Sequence, residues 1–231
     1  MNPTFVEVKT MRSRITLALA VSVFALAPSL AKAGPPLLCF PMSIGNAPSL
    51  PWGGDGWKSP LASYDRTRLA DDTVALLASQ PRTLVRMETL RRAVIYASSD
   101  ESATKKLFIA LRARAKATTK SADANALFDL GYAVEAFRQT RHELTLTRPV
   151  DPPEDGYALI RQALEARGPD PEIEYAAALV TMSSRISRGV SDEHLRAAIA
   201  GAKQDPDLAR TIAAHEPLWG SKVAALNGKG R

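Results

Sequence analysis

Three histidines in this chain each stand beside a carboxylate: His142-Glu143, Asp192-Glu193-His194 and His215-Glu216. Imidazole and carboxylate together are the raw material of proton transfer and of zinc ligation. A helical zinc site needs two ligands four residues apart, as in His-Glu-x-x-His, and that spacing does not occur. Neighbouring residues on a helix point about 100° apart, so none of the three pairs chelates by itself. The expectation is structural or solvated histidines, with no metal and no cofactor.

Two nucleophiles are candidates. Ser102-Ala103-Thr104-Lys105 places a serine one helical turn from a lysine, the spacing of the Ser-x-x-Lys serine enzymes. Those enzymes also need Ser-Asp-Asn and Lys-Thr-Gly; here Ser191-Asp192-Glu193 ends in the wrong residue and Lys-Thr-Gly is missing. A capping serine followed by a surface lysine is the simpler reading. Cys39, the single cysteine, lies among Leu38, Phe40 and prolines, which favours packing over a thiol role in redox chemistry, intermolecular pairing or catalysis. Trp52 and Trp57 are either a sugar-stacking pair or buried anchors. With no glycine-rich phosphate loop, Gly-x-Ser-x-Gly or haem-attachment motif, no catalytic residues are assigned.

The sharpest surface feature is a helix expected after Ser98-Ser99-Asp100 and running to about Thr118. Leu107, Phe108, Leu111 and Ala115 gather on one face; Lys105, Arg112, Lys116 and Lys120 gather nearly opposite, with Ile109 among them. A solvated basic face is one reading; a contact for an acidic partner or an anionic membrane surface is the other, the membrane being the weaker half.

These residues must be positioned by helices. Helical spacing runs over Arg66–Ser79, Leu84–Ser98, the basic helix, Ala122–Thr140, Glu154 to Gly168-Pro169, and from Pro171. Two more helices are expected, one capped by Ser191-Asp192 and one opening at Pro206. On the helix over Leu84–Ser98, Glu88 and Arg92 form an i,i+4 pair. No alternating run of useful length argues for strands, so the fold class is all-α. Residues 34–64 hold six prolines and Gly53-Gly54-Asp55-Gly56, which predicts an irregular N-terminal wrap packing its leucines and tryptophans on a helical domain of residues 65–231.

The alternate helices start near residues 66, 102, 154 and 192. That spacing is roughly the 34 to 40 residues of a helix-hairpin repeat, broken once by the proline-rich stretch Thr145–Pro153. Leu127, Leu130, Gly131 and Val134 fit the first helix of a tetratricopeptide repeat; Ile160, Ala163, Leu164 and Pro169 or Pro171 fit its second. The chain therefore resembles a degenerate tetratricopeptide-like α-solenoid over about residues 122–215, which implies stacked hairpins and protein–protein recognition. The 140–153 connection is too long for a normal repeat turn and leaves the phase of the hairpins open. Val85–Arg92 is similar to stretches of uncharacterised exported bacterial proteins, a likeness that implies no activity.

Residues 1–33 read as an export signal: Arg12 and Arg14, thirteen uncharged residues from Ile15 to Ala27, then Ala31-Lys32-Ala33 before a cut at Gly34. Glu7 is out of place in such a leader, so the true start is expected at Met11. Thirteen residues span about 20 Å of helix, short of a ~30 Å bilayer core, so no membrane-spanning segment is expected in the mature chain. One unpaired cysteine and no usable Asn-x-Ser/Thr acceptor favour a bacterial periplasmic or secreted protein.

The formal charge of +6 includes +3 from that leader. Residues 34–120 carry 13 basic and 7 acidic side chains; residues 121–231 carry 13 and 16. This is too little net charge for a nucleic-acid ligand, but the asymmetry suits a dipolar surface that orients a partner. The functional expectation is an exported helical-repeat protein that binds another protein. Its rival is an enzyme or small-ligand binder using a pocket between the N-terminal wrap and the helices.

Overall fold

The computed structural model describes residue 1 and residues 34–54, 56–116, 123–143, 152–183 and 188–228. The expected leader, Lys120 and most of the 145–153 connection lie outside the described residues. Eleven α-helices occur among the described residues and no strand, only an isolated bridge between Trp52 and Pro60. The fold is all-α. No helix among the described residues is long and apolar enough to cross a membrane.

In chain order the helices are α1 (Pro36–Cys39), α2 (Leu69–Ser79, entered through a 3-10 turn at Arg66–Arg68), α3 (Thr83–Ala97), α4 (Glu101–Lys116) and α5 (Ala124–Glu143). They continue with α6 (Gly156–Arg167), α7 (Pro171–Ser183), α8 (Arg188–Ala202), α9 (Pro206–Ala214), α10 (Glu216–Trp219) and α11 (Lys222–Gly228). Carboxylates start most of the long ones by accepting orphan N–H groups of the first turn. Asp100 serves α4, Asp155 α6, Asp170 α7 and Asp205 α9. The cap of α4 is thus Asp100, and Ser102 is an exposed residue inside the helix. Gly168 ends α6 with φ +84°, a conformation that favours glycine.

One boundary differs from the sequence reading. The eighth helix begins at Arg188, not at a Ser191-Asp192 cap, and Ser191 is buried within it. Its hydroxyl donates to the Ala178 carbonyl of α7 at 3.0 Å, so it ties two helices instead of starting one.

α3 is the axis of the molecule, packed against α1, α2, α4, α5 and α7. The expected apolar face of Leu84, Met87, Leu90 and Val94 is fully buried, but so are Arg86, Glu88 and Arg91. α5 lies along α6, and α7 along α8. At the first of these crossings two glycines meet: a Cβ on Gly131 would come within 2.6 Å of the Gly156 carbonyl oxygen.

The residues before α2 are fastened chiefly through their main chain. Arg91 donates to the Leu38 and Trp57 carbonyls, Arg92 to Leu50, His215 to Pro41 and Tyr96 to Pro51. In return Glu88 accepts from the Met42 N–H, Thr211 from Ser43 and Gln139 from Leu37. A segment too rich in proline to bond its own backbone is satisfied instead by side chains from helices.

Candidate functional site

α4 presents the expected two faces. Leu107, Phe108 and Leu111 are buried, while Lys105, Lys106, Ile109 and Lys116 are exposed. Lys105 pairs with Glu101 at 2.7 Å along the exposed side of the helix. Arg112 does not join that face as a solvated cation. It forks onto Glu154 just before α6, at 2.5 and 3.0 Å, and its guanidinium lies 5.6 Å from the Phe108 ring centroid. The hydrogen bonds between them raise the Arg112 pKa and hold the Glu154 carboxyl below its usual range. The exposed basic residues are therefore Lys105, Lys106 and Lys116, surrounding an isoleucine that is 65% exposed. Lys106 was not part of the expected set, and the Arg112–Glu154 tie had no local signal because the two residues lie 42 positions apart.

The described histidines are partnered on both ring nitrogens. His215 receives the Tyr175 hydroxyl on Nδ1 at 2.6 Å and donates from Nε2 to the Pro41 carbonyl at 3.0 Å. Burial pushes its pKa down to about 4, so it is a neutral core group. With both nitrogens committed, His215 cannot act as base for Cys39, although Phe40 stacks edge-on against its ring. Cys39 itself is half-buried at the end of α1, against the core.

His194 lies between α7 and α6. Its Nδ1 is 2.5 Å from Glu174 Oε2 and its Nε2 is 2.8 Å from the Tyr157 hydroxyl. The side chain of His142 lies outside the described set. Among the described residues no group of three His, Cys, Asp or Glu side chains converges as a metal site.

Trp52 donates its indole N–H to the Gly56 carbonyl and carries the Arg91 and Arg92 guanidinia over its ring at 5.0 and 5.6 Å. Trp57 is half-buried and its carbonyl holds Arg91. This is the geometry of anchors for the segment they belong to.

Two clefts bear on ligand binding. The one between residues 34–64 and α2, about 350 Å³, is lined by Leu50, Pro51, Asp72, Ala75, Leu76 and Ser79. Its one carboxylate, Asp72, is already engaged by Tyr64 at 2.9 Å and Arg68 at 3.0 Å. The other, about 300 Å³, opens beside α5, α6 and α7 and is lined by Glu135, Arg138, Pro153, Glu154, Asp155, Tyr157 and Val180. No motif marked it, because its walls come from three separate stretches of chain.

Comparison of the chain with protein-family models, curated proteins and solved structures returns no match.

Proposed function

We propose that this chain is an exported, degenerate tetratricopeptide-like adaptor that binds an acidic protein surface through the outer face of α4. In this reading α5–α6 and α7–α8 are successive hairpins of the stack, and residues 34–64 wrap its inner helices. The observation that carries the proposal is Ile109, an isoleucine 65% exposed at the middle of a long helix. Water-facing helix positions ordinarily carry polar residues, and an apolar anchor ringed by lysines matches an interface centre with a charged rim.

The partner it fits has an apolar pocket flanked by Asp and Glu. Binding to an anionic membrane is the weaker reading, since one isoleucine buries too little apolar area to hold a helix at a bilayer. The test uses Lys105→Glu, Lys106→Glu and Lys116→Glu together in the full chain. Arg112 is left intact because its loss would strand Glu154 and disturb the fold. The captured partner is expected to bind at least about tenfold more weakly and to be released by salt. Capture unchanged by the triple reversal would refute the proposal.

A further inference from the structure

The cleft beside α5, α6 and α7 is independent of the α4 face and has chemistry of its own. Glu174, His194 and Tyr157 come from α7, α8 and α6 and form one hydrogen-bonded chain that ends in that cleft. The direction of the chain follows from its acid end. An ionised carboxylate only accepts, so His194 Nδ1 carries the hydrogen that faces Glu174. In a neutral ring Nε2 must then accept, and Tyr157 is the donor. Its hydrogen being committed to His194, the Tyr157 oxygen offers lone pairs to anything beside it.

The other polar groups of the cleft point to the same kind of ligand. Glu135 commits Oε1 to the Gly156 N–H and to Arg138, and Asp155 commits Oδ1 to the Ala158 N–H. Neither second oxygen has a hydrogen-bond partner among the described residues. The donors are already directed elsewhere: Arg138 at Glu135 and at the Pro152 and Glu154 carbonyls, Arg112 at Glu154. Among the described lining residues Arg138 pairs with Glu135 and Arg112 with Glu154, and Asp155 adds a further carboxylate. Pro153 and Val180 supply its apolar wall.

We propose that this cleft binds a primary alkylammonium group, with its N–H donors on Tyr157, Glu135 and Asp155 and its alkyl stem against Pro153 and Val180. An ammonium has three donors and no acceptor, the complement of the three acceptor groups that line the cleft. A volume of about 300 Å³ accommodates a short-chain amine.

The probe is n-pentylammonium, titrated calorimetrically into the full chain beside n-pentyltrimethylammonium, which has the same charge and stem but no N–H. Saturable binding of the first, with the second weaker by about tenfold or more, is the expected result. Tyr157→Phe keeps the ring and removes the acceptor, and is expected to weaken pentylammonium about tenfold, as is Glu135→Gln. Glu165→Gln, on the exposed side of α6, is expected to change nothing. Thermal unfolding of each variant confirms that the fold is intact. No saturable binding at millimolar probe, equal binding of the trimethyl compound, or indifference to Tyr157→Phe would each overturn the proposal.

Discussion

Buried polar residues on the central helices set the chemistry of the core, and each has a different balance. Arg86 and Asp129 form a two-pronged pair at 2.8 and 2.6 Å with both side chains almost wholly buried. Asp129→Asn leaves the guanidinium without its counter-charge and is expected to cost about 3 to 5 kcal/mol in chemical denaturation. Tyr132 and Tyr175 make a paired contrast. The Tyr132 hydroxyl is buried with no hydrogen-bond partner among the described residues, so Tyr132→Phe is expected to be neutral or stabilising by up to about 1 kcal/mol. Tyr175 donates to His215 and accepts from Trp219, so Tyr175→Phe is expected to lose roughly 1 to 2 kcal/mol.

His215 also makes stability depend on pH. Burial holds its folded pKa at about 4, below the ~6.5 of the unfolded chain. Between those values the unfolded state binds more protons, so stability falls as pH drops from 6.5 to 4 and is flat in this respect above 6.5. The share of His215 is roughly 3 kcal/mol between pH 7 and 4 and is read as the difference between the native chain and His215→Gln, because buried Asp129, its pKa pushed up to about 6, titrates in the same window with the opposite sign. His215→Gln is expected to lack that share of the acid sensitivity; an unchanged pH profile would contradict this assignment. At this scale the sequence was a poor guide. The sequence sets Glu193 beside His194, and nothing in it marks the carboxylate that His194 meets, Glu174, twenty residues earlier and one helix away.

At the scale of elements most of the molecule could be read from spacing and caps. Pro171 and Pro206 open helices, Gly168 closes one, and the buried face of α4 follows its apolar periodicity. α3 could not be read fully, because charged residues normally mark a water-facing side. Glu88 does pair with Arg92 as its spacing predicts, but it is buried and also holds Arg91 and the Met42 N–H. Burial pushes its pKa up, but the two arginines win and keep it ionised. Helical periodicity reports one covered face; it cannot report that a distant proline-rich segment covers the other. Gly131 gives the element-scale prediction. Alanine gains about 1 kcal/mol of helix propensity over glycine. Here its Cβ would press on the Gly156 carbonyl, so Gly131→Ala is expected to lower the melting temperature despite that gain.

The clusters that sequence motifs brought to notice are structural: capping carboxylates, a neutral core histidine and tryptophans that anchor their own segment. The two proposals rest on the α4 face and the cleft beside α5, α6 and α7, which meet at the Arg112–Glu154 contact. The first was legible as an amphipathic helix, though with Arg112 in place of Lys106. The second was not, since its groups are assembled from α5, α6, α7 and α8 and share no spacing.

The α4 proposal is tested most directly by placing a photo-cross-linking phenylalanine analogue at position 109 of the full chain in its native cells. A control copy carries it at Glu165, exposed on α6. A single adduct is expected from position 109, absent from position 165, and lost when Lys105, Lys106 and Lys116 are reversed to glutamate. No adduct at 109, the same adduct at both sites, or an adduct that survives the charge reversal would contradict the reading of α4 as the docking face.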